Sequence, residues 1–412
     1  MDFEHSERSL ILLERVRAFM QEHVYPVENE AYEALDREVS ATTAFPAVIL
    51  EMREQAKLAG LWNLALPDER FGPGLTNVEY GLICEEIGRS SFVAPYAFNT
   101  QPPDSGNMEI IAEHGTAAQH DRWLEPLLEG TIRSCYSMTE PDVAGSDPTG
   151  LALRAELVDG EWVLNGRKWW TTNALGASVA IVMAVTDPDA APHQRASMIL
   201  VPTDTPGFTM VRPLSHMGHS AGPGHWEIAY EDCRVPQDAL LGGRGAGFKI
   251  AQDRLGPGRI HHCMRLIGVA ERALELMCER ARDRVMFGTP LADKQFIQDF
   301  IALSRMEIDQ ARLVTQHAAW KLDTVGKREA RIDLSITKVV VPNAVMNVVD
   351  RAIQVWGAEG VSDDTPLAAM WRFNRMLRIG DGADEVHKSV IARQEMRKLS
   401  QATFAAAAGA GS

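Results

Sequence analysis

The sequence predicts an α+β multi-domain fold, with helices first, a sheet in the middle and helices last. Three observations carry this. Apolar residues recur at helical spacing over the first third, a run of short β-rich segments begins at about Ser134, and long helical patterns return from Gly247. At 412 residues the chain is long enough for two or three domain-sized units, so a sizeable core and a binding cavity are within reach.

Taken in order, Leu10 to His23 is apolar at helical spacing, Pro46 to Leu58 opens on a proline suited to a first helical turn, and Val78 to Ile87 precedes a glycine. Turn-rich stretches such as LPDERFGPG separate them. The segments ALRAEL, EWVLNG, VAIVMAV, SMILV and HWEIAYE, parted by Gly, Pro, Asp and Asn, read as an all-β insert. Helical periodicity then resumes with Phe296, Ile297, Phe300, Ile301 and Leu303. It continues over Ile336 to Val355, where Val339, Val340, Ala344, Val348 and Ile353 are apolar. No repeat of fixed period is present, and the low-complexity ending FAAAAGAGS reads as a frayed end. The expected boundaries are 1–133 for an all-α domain, 134–244 for a β domain, 245–403 for a helical domain and 404–412 for a flexible tail.

Composition narrows the function. With 41 Lys+Arg against 56 Asp+Glu the net charge is −15, which disfavours a general role on nucleic-acid phosphates or anionic membranes, so an anionic ligand needs local basic residues. Cys84, Cys135, Cys233, Cys263 and Cys278 are odd in number, scattered and free of C-x-x-C pairs. They indicate neither a disulfide framework nor a zinc site, and a reducing compartment fits. The start MDFEHSERSL lacks the basic end and apolar run of a secretion signal, and no uninterrupted apolar stretch approaches the roughly 20 residues of a membrane span. A cytoplasmic location without a membrane span is the expectation.

Five motifs can carry chemistry. SMTEPDVAGSD (137–147), where helices give way to strands, offers backbone N–H groups at Gly145 and Ser146 and the Thr139 hydroxyl to a planar heterocycle or a phosphate; a plain connector reads the same way. In NGRKWWTTN (165–173), strand alternation sends Trp170 and Thr172 to one side, where a ring face and a hydroxyl can meet a flat ligand; paired tryptophans also serve as core. DRVMFGTPLADKQ (283–295) places Arg284, Phe287 and Gln295 on a loop ahead of a helix, compatible with pyrophosphate binding or with a simple connection. QVWGAEGV (354–361) ends a helix on glycines that either approach a dinucleotide or cap the helix. In LRIGDGADEVHKSVIARQE (377–395), Asp381 stands between two glycines before a helix, as a protruding base or a helix cap. The adjacent His261 and His262 would point apart on a helix, and no metal site is expected from them.

In this order, with this strand insert, the motifs resemble the acyl-CoA dehydrogenase family from roughly Leu58 to Glu395. GPGRIHHCMR (256–265) and IGDGADEVH look most like the subgroup with an Asp in the base-bearing turn, which includes larger animal members fused to other domains. The resemblance implies a central antiparallel β-barrel or sandwich, a C-terminal four-helix bundle, and FAD as cofactor. It implies flavin contacts from Met138, Thr139, Gly145, Ser146, Trp170, Thr171 and Thr172, with Ser146 also near the substrate and Thr172 hydrogen-bonded near flavin N5. Arg284, Phe287, Gln295, Gln354, Val355 and Gly357 resemble positions that hold the FAD of a neighbouring subunit, which implies a homodimer or homotetramer. The resemblance also implies cofactor contacts from Ala383 and Glu385 in the last turn, and substrate contacts from Gly382 and Arg259.

The base is a glutamate in most of the family, and the matching residue here is Asp381, shorter by about 1.5 Å of reach. A second base position known in the family aligns with Gly258, which has no side chain to serve, so the role returns to Asp381. The implied reaction is α,β-desaturation of an acyl-CoA thioester, with Asp381 taking the α-proton, the β-hydride going to flavin N5, and an electron-transfer flavoprotein as acceptor. The shorter acid also keeps an acyl-CoA oxidase or a nitroalkane-oxidase-like enzyme of the same fold in view, as well as a non-catalytic flavin- and acyl-CoA-binding scaffold. The acyl chain is not legible from periodicity.

Overall fold

The computed structural model describes residues 4–218 and 222–409. The chain divides into two compact units, His5–Gly258 and the segment from Arg259 onward.

The first unit opens with helices α1 (Glu7–Phe19), α2 (Glu28–Arg37), α3 (Ala47–Leu58), α4 (Asn77–Gly88), α5 (Ala94–Ala97), α6 (Asp104–His114), α7 (Ala117–Gln119) and α8 (Glu125–Glu129). Their starts follow from local chemistry. Ser6 caps α1, Pro46 precedes α3, and Thr76 with Glu79 forms a reciprocal capping box on α4 that satisfies two orphan N–H groups. α1 turns Leu12, Leu13, Val16 and Phe19 inward, the stripe its sequence spacing predicts. Gly88 is the last residue of α4 rather than the stop beyond it.

Among the described residues eight strands follow: β1 (Ser134–Ser137), β2 (Arg154–Val158), β3 (Glu161–Thr172), β4 (Val179–Val185), β5 (Ala196–Pro202), β6 (Phe208–Leu214), β7 (His225–Pro236) and β8 (Leu240–Leu241). They form one sheet in the order β6-β7-β3-β1-β4-β5-β8, with β2 pairing to β3 and β4. VAIVMAV is β4, and its seven residues are all buried because the sheet is covered on both faces. Val179, Ile181 and Met183 pack with Met108, Ile111, Leu124 and Leu127 of the helices, whereas Ala180, Val182 and Ala184 join Trp162, Leu164 and Tyr230 in a second core. The expectation of a purely antiparallel domain is corrected here. β1 runs parallel to β4 over Ser134–Ser137 and Val179–Val182, which the long β2–β3 excursion between them permits.

In the second unit, α9 (Gly247–Asp283, entering at Arg259) is followed by a two-stranded hairpin, β9 (Val285–Met286) and β10 (Thr289–Pro290). Then come α10 (Gln295–Val325), α11 (Arg331–Trp356), α12 (Leu367–Leu377) and α13 (Asp384–Gly409). The four long helices make the expected bundle. Glu271 of α9 bridges Arg305, at 2.6 Å, and Arg312 of α10, and the Trp356 indole donates to the Leu276 carbonyl at 2.9 Å. α11 is long and apolar enough by composition to cross a bilayer, yet Leu334, Val341, Val345, Val348, Val349 and Ala352 are buried within the bundle, so that surface is committed to the core. The alanine-rich ending expected to fray is helical through Gly409, as its propensity favours; residues 410–412 lie outside the described residues.

Candidate functional site

Two motifs that look separate in sequence are stitched together in the first unit. Thr139 Oγ1 donates to the Trp169 carbonyl at 2.7 Å, and the Trp169 N–H donates back to Thr139 at 3.0 Å. Lys168, fully buried, donates to the Met138 carbonyl and to Glu140, both at 2.8 Å. Glu140 also accepts from the Ala152 and Leu153 N–H groups at 2.7 and 3.0 Å. Burial, opposed by Glu140, pulls the Lys168 ammonium down to about 8. Glu140 and Lys168 therefore hold the backbone of the 138–147 loop against β3, and Gly145 and Ser146 stay exposed at its tip. A Cβ on Gly145 would sit 3.1 Å from Thr139 Cγ2, so glycine keeps that tip close.

On β3 simple alternation fails. The register shifts between Lys168 and Thr171, and Trp170 takes φ +55°, so a bulge rather than the pleat aims the indole outward. The structure still brings Trp170 and Thr172 together, over His225. The rings of Trp170 and His225 lie 5.3 Å apart, and Thr172 Oγ1 lies 2.9 Å from His225 Nδ1. Burial, with His216 nearby, drives His225 down to about 4, so it is a neutral partner near pH 7. Thr171 points the other way. Its buried hydroxyl lies 3.2 Å from Ser137 Oγ, which accepts from Tyr230 at 3.0 Å.

In the second unit the turn carrying Asp381 is gripped from three helices. Arg259 Nε of α9 donates to the Asp381 carbonyl at 3.0 Å, and His387 Nε2 of α13 lies 3.4 Å from the same oxygen. Lys338 of α11, itself buried, donates to the Leu377 and Gly380 carbonyls at 2.5 and 2.9 Å. Asp384 opens α13, where it accepts from Arg378 and Asn343 at 2.9 and 3.0 Å. Asp381 adopts φ +57°, a left-handed conformation that aspartate tolerates better than most residues. Gly382 has φ +104°, and a Cβ there would meet His387 Nε2 at 2.7 Å, so only glycine fits. The Asp381 carboxylate, 27% exposed, meets His262 Nε2 at 3.2 Å through Oδ2. Sequence reasoning missed His262, Lys338 and His387; it weighed the His261–His262 pair only as metal ligands.

The third cluster lies on the same unit. Arg284, Phe287 and Gln295 are exposed at the β9–β10 hairpin and the start of α10, and Phe287 is 92% exposed at φ +52°. Gln354 and Gly357 are exposed at the end of α11, where Gly357 takes φ +68°. Val355, between them, has its side chain buried in the bundle. Ala383 is half-buried and Glu385 exposed at the start of α13.

The chain thus combines N-terminal helices, a central sheet and a helical bundle that carries an acid between two glycines. Residues 6–131, 135–233 and 245–396 match the N-terminal, middle and C-terminal domains of acyl-CoA dehydrogenase. The chain is 49% identical to the probable acyl-CoA dehydrogenase FadE2 of Mycobacterium tuberculosis over 99% of its own length and 100% of that protein. It is 45% identical to human acyl-CoA dehydrogenase family member 11 over 96% of its length, spanning only 51% of that longer protein. A solved putative acyl-CoA dehydrogenase from Mycobacterium abscessus shares the fold at TM-score 0.92 and 47% identity, covering 96% of this chain and 100% of that one. The chain belongs to the acyl-CoA dehydrogenase family of oxidoreductases.

Proposed function

We propose that the protein is an FAD-dependent dehydrogenase that desaturates an acyl-CoA thioester between its α and β carbons, with Asp381 as the base. The observation that carries this reading is the partly exposed Asp381 carboxylate on a left-handed turn whose backbone is fastened by Arg259, Lys338 and His387. A conformation this restricted persists because its neighbours over-determine it, and such strain concentrates at functional sites.

The residues fit a flavin dinucleotide. Among the described residues the Arg284 guanidinium has no hydrogen bond or ion pair, and it stands beside an exposed aromatic, Phe287, and a helix start at Gln295, a set suited to pyrophosphate and adenine. The exposed Trp170 indole offers a face to a flat ring. Bound FAD supplies the acceptor for the β-hydrogen and its electron pair. Asp381 accepts the α-proton as the α C–H bond breaks, and the pair left behind forms the new C=C as the β C–H bond breaks. A thioester α-proton is far too weakly acidic for aspartate in water, so the Asp381 N–H is assigned to the developing enolate oxygen, and exclusion of water strengthens both effects.

The exposed Val285, Met286, Phe287 and Phe296 suit a homodimer or homotetramer, and an electron-transfer flavoprotein is the proposed acceptor. A cytoplasmic location accords with five free cysteines, four of them buried. Because the acid is Asp, oxygen-linked turnover is the second reading. Anaerobic mixing with a panel of straight, branched and ring-bearing acyl-CoA thioesters tests both. Bleaching of the yellow flavin by one class, with slow reoxidation in air, supports a dehydrogenase; rapid reoxidation supports an oxidase; no bleaching by any thioester refutes the proposal.

A further inference from the structure

We infer that Arg265 and His262 form a positioning relay for the base, in which Arg265 fixes the tautomer of His262 and His262 donates a hydrogen bond to the carboxylate of Asp381. The inference rests on the reading of Asp381 as base and deepens it by naming what orients and tunes that carboxylate.

The argument is one of donors and acceptors. An Arg265 guanidinium nitrogen lies 3.2 Å from His262 Nδ1, one helical turn back on α9. A guanidinium carries only N–H donors, so Nδ1 must present its lone pair and the ring proton must sit on Nε2. Nε2 is the atom 3.2 Å from Asp381 Oδ2, so the proton points at the carboxylate. The opposite tautomer sets an N–H against an N–H at Arg265 and a lone pair against a carboxylate oxygen. An imidazolium meets the same clash at Arg265. Arg265 is buried and the His262 side chain is 17% exposed, so water contributes little alternative hydrogen bonding. Burial comes first in holding the His262 pKa below its ordinary value; the bond to Asp381 opposes that shift, while Arg265 and Lys338 add to it.

Other charges face the turn as well. From α9 Arg259 reaches the Asp381 backbone, with Arg331 near it; from α11 Lys338 holds the Gly380 carbonyl; from α13 His387 and Asp384 approach, Asp384 being paired to Arg378. The contacts that Arg259, Lys338 and His387 make with the turn end on main-chain oxygens, whereas His262 ends on the carboxylate itself. The relay thus acts on the side chain where the others act on the loop. Aspartate is one methylene shorter than glutamate, and a fixed donor on one oxygen restricts the rotation of a carboxylate with little reach to spare. A neutral donor also favours the ionised base, which extends proton abstraction to lower pH.

The test uses the FAD-loaded enzyme and the acyl-CoA that bleaches it best, with rates followed anaerobically from pH 5 to 9. His262→Phe keeps the ring volume without the donor, and His262→Gln returns an N–H near the position of Nε2. The Phe variant is expected to move the acid limb of the bleaching rate upward by roughly one to two pH units, with flavin content and acyl-CoA Kd unchanged. The Gln variant should recover much of that shift. An unmoved acid limb in His262→Phe, alongside an inactive Asp381→Asn, overturns the relay while leaving the base in place. Full bleaching by Asp381→Asn removes the base reading, and the relay with it. Nitrogen-15 spectra of histidine-labelled enzyme at pH 7 give a readout apart from activity, with His262 assigned by its loss in His262→Phe. A neutral Nε2–H tautomer that disappears in Arg265→Met is expected; an imidazolium or an Nδ1–H tautomer refutes the relay even where the Phe variant folds poorly.

Discussion

Removing the Glu140 carboxylate should unfasten the surface formed by the 138–147 loop and β3. Glu140→Ala takes away the partner of a fully buried Lys168 and the acceptor for the Ala152 and Leu153 N–H groups. Breaking a buried pair on one side costs about 3–5 kcal/mol, and each orphaned amide adds about 1–3 kcal/mol where water cannot replace the bond. Against a total stability of about 5–15 kcal/mol that is a large fraction. At roughly 2–4 °C per kcal/mol for a domain of this size, melting should fall by about 10 °C or more. The double variant Glu140→Gln, Lys168→Met keeps an acceptor for one of the two amides and removes both charges, so it should regain part of the loss. Sign matters as well. Lys168 has its folded pKa lowered from 10.5 to about 8, so between those values the unfolded chain binds more protons. Wild-type stability should therefore rise as pH climbs through that window, with the penalty fully present below about 8, and the double variant should lack this rise. Differential scanning calorimetry across pH reads both effects. Additive single and double variants, within about 0.5 kcal/mol, would refute a coupled pair.

Two further outcomes follow from the turn and the hairpin. Gly382→Ala forces a Cβ to within 2.7 Å of His387 Nε2 at φ +104°, so at about 1–3 kcal/mol of strain it should slow flavin bleaching by roughly ten- to a hundred-fold while FAD stays bound, as stopped-flow absorbance reads directly. Arg284→Ala should lower flavin content and shift the oligomer toward monomer together, measured by the 450 nm absorbance across a sizing column; an unchanged flavin ratio speaks against a cofactor held at that hairpin.

The layout was legible because periodicity is local. β4 shows as a continuous apolar run, and the helices show as stripes closed by caps such as Thr76 and Glu79. What escaped depends on partners far along the chain. The parallel match of β1 to β4 is set by a connection that propensity does not encode. β6 is an edge strand holding Pro213, a residue that argues against a strand unless the edge position is known. Glu140 and Lys168 sit among motif letters that invite a ligand role, yet they fasten backbone. Lys338 hides in an apolar stretch of α11, and its purpose appears only when the Gly380 carbonyl arrives from α12's far end. His262 carried a signal in being paired with another histidine on one helix, but only the tertiary approach of Asp381 distinguishes it from His261, which burial drives down to about 3.

The central claim is that Asp381 removes the α-proton, and anaerobic single-turnover bleaching of Asp381→Asn addresses it most directly. The variant should keep its yellow cofactor and bind acyl-CoA with wild-type affinity while flavin reduction falls by about 10²–10⁴-fold. Bleaching at the wild-type rate would place the proton's acceptor elsewhere in the protein.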